Sequence, residues 1–181
     1  MDGGTGDDRD AAAIAGIHSA VRDAVGALTA GGARREALAE LVPARRVLLI
    51  RREPVLRRIG EVWRLGVFLL DEDAVLRATG TLVRATPPGR PQGLARSVEE
   101  RRALRAAAQR GGFRDGETVN FGAPPIPLEV EALRASTGPL FLRDGRALVR
   151  WSAAAGDAAA ADFGAYLAER VELLVHPPEG A

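Results

Sequence analysis

Between residues 47 and 151, apolar residues come in short runs that clusters of Pro, Gly and Asp separate. The runs at 61–70, 74–85 and 139–151 are rich in β-branched, aliphatic or aromatic residues, which is typical of strands. Asp144-Gly145 divides the last run and predicts a type I′ hairpin turn. Segments with helical spacing do not alternate regularly with these strand-like runs. The pattern therefore predicts an α+β fold, an antiparallel β-sheet or meander packed against N-terminal and central helices.

Helical periodicity is strongest in two places. From Asp10, a plausible N-cap, apolar residues recur every three or four positions up to a Gly-Gly pair: Ile14, Ile17, Val21, Val25 and Leu28. Ser97 and Glu100 fit a capping box and predict a second helix that ends at Gly111. A shorter helix is expected at 34–42, from Leu38, Leu41 and Val42, and would form an αα-hairpin with the first. A DNA-binding helix-turn-helix is disfavoured, because so short a second helix must itself bury these three side chains.

The remaining elements are short. Thr118–Phe121 is expected to be a strand, and residues 130–133 a single helical turn. A last helix is predicted around 162–170. The run at 171–175 fits either its continuation or a terminal strand, since periodicity alone does not decide between them.

Length and composition predict a single α+β domain over residues 10–181, after a Gly- and Asp-rich tail at 1–9 that is expected to be disordered. No uncharged run approaches the roughly 20 residues of a membrane-spanning helix. The acidic N-terminus is unlike a secretory signal, and Cys is absent. We therefore expect a cytoplasmic protein with no membrane association.

All 25 basic residues are Arg, because the chain has no Lys. The absence of Lys excludes Schiff-base chemistry and a P-loop lysine, and the absence of Cys excludes a thiol nucleophile. His18 and His176 are about 160 positions apart and lack the spacing of a transition-metal site; His18 is interpreted as a core or interface residue. No recognisable catalytic or cofactor-binding signature remains, so the sequence leans against an enzyme and predicts no metal, flavin or haem.

Charge is uneven along the chain although its net value is +1. Residues 45–114 carry 16 Arg against seven acids, and both flanks are acidic. If there is a ligand, we expect it to be anionic and to meet the loop and helix at 84–114. The candidate residues are Arg84, Arg90, Arg96 and, in a strand-to-loop segment, Asn120. A solvated helix face, or acidic ends folded against a basic middle, would explain the same charges.

The apolar stripe of the first helix predicts a homodimer, because a modest sheet would leave that stripe partly uncovered. A non-catalytic accessory or interaction protein, self-associating and open to a further protein partner, is therefore the first functional interpretation. An anion binder, for a small molecule or a nucleic acid, is the second. A small enzyme that uses carboxylates and Arg is the third.

Four segments, VWRLGVFLLDEDAVLRATGTLVRA, ERRALRAAAQRGGF, GPLFLRDGRALVRW and LAERVELLVHPPEGA, cover most of residues 62–181. They resemble a family of small actinobacterial proteins of unknown function, and the resemblance implies no known mechanism. Some members carry the label glutaminase. The serine type of that enzyme would need a Ser-x-x-Lys pair, which a chain without Lys cannot form.

Overall fold

The computed structural model describes residues 3–47, 50–87, 96–152 and 156–178. The fold is α+β, as the sequence predicted. The helices are α1 (Gly3–Ala30), α2 (Arg96–Arg110), α3 (Val130–Arg134) and α4 (Phe163–Val175). The strands are β1 (Glu36–Val42), β2 (Arg45–Val47), β3 (Ile50–Arg52), β4 (Val55–Leu65), β5 (Phe68–Leu70), β6 (Leu76–Ala78), β7 (Thr81–Arg84), β8 (Thr118–Phe121), β9 (Leu140–Arg143), β10 (Arg146–Val149) and β11 (Ala161–Asp162). Within the described ranges, no helix is both long and apolar enough to cross a membrane.

The chain forms two compact units, and each draws on separate stretches of sequence. Unit 1 comprises residues 1–34, 63–78 and 124–181, and unit 2 comprises residues 35–62 and 79–123. Strand β4 belongs to both, because the boundary falls between Val62 and Trp63. No position in the sequence separates the units, and the single domain over residues 10–181 stays a prediction.

In unit 1, β6, β5 and the end of β4 pair antiparallel, and β11, β10 and β9 form a second small sheet. Helix α1 packs against α4 and β10. The core contains Trp63, Phe68 and Phe163, each at most 2% exposed. The predicted hairpin at 139–151 is confirmed, since Asp144 and Gly145 adopt φ angles of 52° and 72°.

Helix α1 is longer than expected. It begins at Gly3, so residues 3–9, expected to be a disordered tail, belong to it, and Asp10 is not its N-cap. Instead, Asp10 is 5% exposed and accepts a hydrogen bond of 2.6 Å from Nε of Arg134 in α3. Asp7 accepts a second bond from the same guanidinium at 2.7 Å. These bonds attach the first turns of α1 to α3, which lies more than 120 positions further along the chain.

The stripe on which the homodimer was predicted is covered by the chain itself. Ile17, Val21 and Leu28 are at most 2% exposed within the core of unit 1, and Ile14 and Val25 pack partly buried against it. His18 lies on the exposed side of α1 and is not a core residue. The apolar stripe therefore gives no reason to expect a dimer.

In unit 2, the strands pair in the order β4, β1, β8 and β7, with α2 packed on β7. The segment expected to be a short helix at 34–42 is strand β1, so the αα-hairpin was wrong. Its residues Ala37, Leu38 and Ala39 are all at most 3% exposed. Three consecutive buried residues fit a central strand covered on both faces, and β1 pairs antiparallel with β4 and parallel with β8.

The run at 61–70 is the end of β4 and a separate β5, joined by a tight turn. The run at 74–85 divides into β6, paired with β5 in unit 1, and β7, paired with β8 in unit 2. The hairpin at 139–151 lies in its own small sheet. Strand β8, the helical turn α3 and helix α2 match their predictions, and the open run at 171–175 continues α4 as helix.

Arg150 stabilises the loop that precedes β9. Its NH1 atom donates to the carbonyl oxygens of Ser136 at 3.1 Å and Gly138 at 2.7 Å. Its guanidinium also bonds to the carboxylate of Asp157. Arg143 donates to the same carboxylate at 2.5 Å. The hydrogen bonds from Arg150 and Arg143 lower the pKa of Asp157 from an ordinary value of 3.8 to about 2.

We expect this carboxylate to make folding stability depend on acid pH. Because the folded pKa of Asp157 is lowered, its contribution is complete above about pH 4 and is lost as the pH falls towards 2. Urea unfolding measured between about pH 2 and pH 5 should show Asp157→Asn less stable than wild type at the upper end, and the two free energies converging at the acid end. A constant difference between them over this range would contradict the assignment.

Candidate ligand-binding site

The two units carry opposite net charges. Unit 2 contains 15 Arg and eight acidic residues, a net charge of +7, whereas unit 1 contains 10 Arg and 16 acidic residues, a net charge of −6. The basic middle of the sequence is therefore concentrated in one structural unit. An anionic ligand would be attracted to unit 2.

The four residues predicted for an anion site are not shown as one cluster. Arg84 is exposed at the end of β7, opposite Thr118 in the β7–β8 register. Arg96 is the first residue of α2. Arg90 lies outside the described residues. The site at 84–114 stays a prediction.

Asn120 is buried and forms hydrogen bonds within the sheet. It is 1% exposed, and its Nδ2 atom donates to Oε2 of Glu36 at 2.8 Å and to the carbonyl oxygen of Ala37 at 3.3 Å. These bonds join the side chain of Asn120 in β8 to β1, its parallel neighbour. The buried amide group thus holds the register of the parallel pair of strands.

A polar pocket on unit 2 brings together residues that the sequence analysis did not group. It has a volume of about 610 Å³ and is lined by Arg58, Glu61, Arg114, Asp115, Gly116 and Glu117. Strand β4 supplies the first two residues, and the loop between α2 and β8 supplies the rest. Pockets of a few hundred Å³ are the usual size of small-molecule sites.

Arg58 is the central residue of this pocket. Its guanidinium lies over the ring of Phe113, 4.7 Å from the ring centroid. Its NH2 atom donates to Oε1 of Glu117, and its NH1 atom lies 3.9 Å from Oε1 of Glu61. Contacts on the ring and with two carboxylates hold the planar group in one orientation, while the side chain keeps 41% of its surface exposed.

Glu117 is ionised at neutral pH. Burial raises the pKa of Glu117. The pKa is lowered by a larger amount by the hydrogen bond from Arg58, by a bond of 2.8 Å from the backbone amide of Arg114, and by the charges of both guanidinium groups, so the net shift is downward. A carboxylate held in this way is a poor proton donor. Glu117 therefore acts here as the ion-pair partner of Arg58 and not as a proton donor.

Among the described residues of unit 2, most carboxylates have a partner, whereas several exposed arginines have no side-chain hydrogen bond or ion pair. Seven of its eight carboxylates take part in a hydrogen bond, an ion pair or another electrostatic contact, and Asp115 is the exception among the described residues. Several exposed arginines form no side-chain hydrogen bond or ion pair with another described residue: Arg52, Arg84, Arg105 and Arg114. Three of these four belong to the segment 84–114 on which the sequence placed the anion site.

Two clefts in unit 1 are less polar. One, of about 310 Å³, lies between α1 and α4. It is lined mainly by Ala, Gly, Leu and Val residues, and Asp23 is its charged residue. The other, of about 280 Å³, lies beside the β9–β10 turn and contains Arg146 and Asp162. In the part of the chain that the structure describes, no group of three His, Asp or Glu side chains is placed to hold a metal ion.

Arg58 and Phe113 could not be selected from the sequence alone. They are 55 positions apart, and neither belongs to a recognisable motif. The sequence analysis placed its candidate site at residues 84–114, whereas this pocket is lined by Arg58, Glu61 and residues 114–117. No family model matches the chain, and neither the curated proteins nor the solved structures contain a match.

Proposed function

We propose that this chain is a non-catalytic cytoplasmic binding protein that recognises a phosphate-bearing ligand through unit 2. The observation that carries the proposal is that the exposed side chains of Arg84, Arg105 and Arg114 form no hydrogen bond or ion pair with another described residue, whereas most carboxylates of unit 2 do. Arg suits this role because its planar fork donates two parallel hydrogen bonds to a phosphate group. Membership of the actinobacterial family stays a prediction and adds no mechanism.

The aromatic residues of unit 2 favour phosphate contacts over an extended base-stacking surface. Phe121 is 7% exposed, and Phe113 is 6% exposed beneath Arg58. Binding of single strands through bases would need several exposed rings among the basic residues. We therefore expect affinity for a polyanion that depends strongly on salt and weakly on base sequence.

The test uses a fluorescein-labelled single-stranded DNA dodecamer, with inorganic pyrophosphate as a competitor, in anisotropy titrations over a series of salt concentrations. The triple variant Arg84→Gln, Arg105→Gln and Arg114→Gln should bind at least about tenfold more weakly at low salt. Its salt dependence, as the slope of log K against log salt, should fall by about 2, since each lost phosphate contact removes roughly 0.7.

The matched control removes the same charge from unit 1, in the variant Arg22→Gln, Arg34→Gln and Arg146→Gln, all at exposed positions. It should change the slope by much less. If both triple variants bind alike, or if wild type does not bind the dodecamer at low salt, the proposal is wrong. Competition by pyrophosphate at equal phosphate concentration would identify a small anion, and its failure a polymer, as the form that is bound.

Self-association remains a separate prediction. Because the apolar stripe of α1 is covered by the chain itself, no described surface favours a homodimer over a monomer. Light scattering at high micromolar concentration measures it directly, and a monomer there would remove it without affecting the anion proposal.

A further inference from the structure

The pocket around Arg58 contains a flat cationic surface. The guanidinium carbon of Arg58 lies 4.7 Å from the centroid of the Phe113 ring, and the side chain also lines the pocket. Glu117 accepts a hydrogen bond from the group, and Glu61 lies 3.9 Å from it. A guanidinium plane fixed in this way can stack on a planar π-system, which is how arginine contributes to the recognition of unpaired bases.

The rim of the same pocket offers hydrogen-bond acceptors and one additional cation. Asp115 is exposed and has no hydrogen bond or ion pair with another described residue, and Glu61 is only distantly paired. Arg114, also exposed, is the adjacent residue of the loop. A ligand that satisfies this rim needs adjacent N–H donors for a carboxylate and a negative group for Arg114.

Among common planar metabolites, a guanine nucleotide has this combination. The guanine base has two neighbouring donors, N1–H and the N2 amino group, which match the two oxygens of one carboxylate. Adenine has an acceptor at the equivalent ring nitrogen, and inorganic phosphate has no planar group. The pocket volume of about 610 Å³ is within the range of sites for ligands of this size.

We propose that this pocket binds a guanine nucleotide, with the base stacked on Arg58, its donor edge on Asp115 and its phosphate towards Arg114. The inference rests on the proposed function, because it names the ligand class for the phosphate-binding unit. It adds a base-recognition element that phosphate binding alone does not require.

The experiment is isothermal titration calorimetry of the full chain with GMP, AMP and ribose 5-phosphate. GMP should bind about tenfold more tightly than ribose 5-phosphate, the lower part of the range that one stacked base contributes. AMP should bind more weakly than GMP, since it cannot donate twice to one carboxylate. Equal affinities for GMP and ribose 5-phosphate would overturn the inference.

Two variants separate the contacts. Asp115→Asn should weaken GMP about tenfold and leave ribose 5-phosphate unchanged, whereas Asp73→Asn, an exposed acid of unit 1, should change neither. Arg58→Lys keeps the charge near Glu117 but removes the planar surface, so it should also weaken GMP selectively. A GMP affinity that survives both pocket variants contradicts this site.

The failures of the two proposals are distinguishable. If the dodecamer and pyrophosphate bind to unit 2 but GMP binds no more tightly than ribose 5-phosphate, the anion-binding function stands and the base site is absent. If the phosphate ligands, GMP and the dodecamer all fail to bind at low salt, both proposals are wrong.

Discussion

Replacement of Gly111 by Ala should destabilise the protein by at least about 3 kcal/mol, since a side chain has no room there. A Cβ atom at Gly111 would overlap the backbone carbonyl oxygen of Leu56 in β4. That oxygen belongs to a paired strand and cannot rotate away. The close approach of the end of α2 to β4 therefore depends on Gly111, and the substitution must separate the helix from the strand.

The adjacent glycine provides the control. Gly112 has a φ angle of +76°, and a Cβ atom added there would meet nothing within 4 Å, so Gly112→Ala has space but the wrong backbone conformation. We expect a loss of about 1–2 kcal/mol there. Urea unfolding followed by circular dichroism at a helical wavelength compares the two variants. A smaller loss for Gly111→Ala than for Gly112→Ala would show that α2 does not approach β4 so closely.

The second large effect is expected at Trp63, whose replacement by Ala should cost about 3–5 kcal/mol. Trp63 is 1% exposed in the core of unit 1, and its Nε1 atom donates to the carbonyl oxygen of Ala33 at 3.2 Å. Removal of the indole leaves a cavity and an unbonded carbonyl group. For a domain of ordinary stability, this is a large part of the total free energy of unfolding.

Trp151 is the matched control because it is the chain's other tryptophan and is 51% exposed. Its indole donates to the carbonyl oxygen of Ala159 at 2.8 Å, so Trp151→Ala should cost no more than about 1 kcal/mol. Tryptophan emission of each single variant provides an independent check. The tryptophan left in Trp151→Ala should emit at shorter wavelength than the one left in Trp63→Ala, and the reverse order would contradict the burial of Trp63.

The sequence predicted those elements whose signals are local. Asp144-Gly145 requires positive φ angles, which few residue pairs adopt, so the turn between β9 and β10 was recognisable from two residues. Helix α2 was recognisable from residues near its ends, Ser97 in its first turn and Gly111-Gly112 directly after its last residue. In each case the information lies within a few positions along the chain.

Strand β1 shows why other elements could not be predicted. The residues EALAELV are good helix formers, and their spacing fits a helix as well as a strand. Their conformation is decided by β4, about 20 positions away, and by β8, about 80 positions away. Intrinsic propensity is a weak effect beside such pairing, and the partners are not visible in a local pattern.

The pocket follows the same rule. The ion pair between Arg58 and Glu117 joins residues 59 positions apart, and neither residue type is distinctive in a chain with 25 Arg. Charge counts along the sequence show only where arginine is abundant. Contacts in the folded structure determine which arginines are already paired and which are free to contact a ligand.

The distribution of unit 1 along the chain has a consequence for biosynthesis. Helix α1 is translated before α4, against which it packs, and 132 residues lie between the two helices. At about 5–20 residues per second, ribosomes need roughly 7–26 s to translate that interval. During this time the apolar stripe at Ile17 and Val21 has no α4 to cover it, and the described strands of unit 2 are translated within the same interval. The nascent chain therefore contains an amphipathic helix without its α4 partner for seconds, which makes α1 a segment that a chaperone can bind.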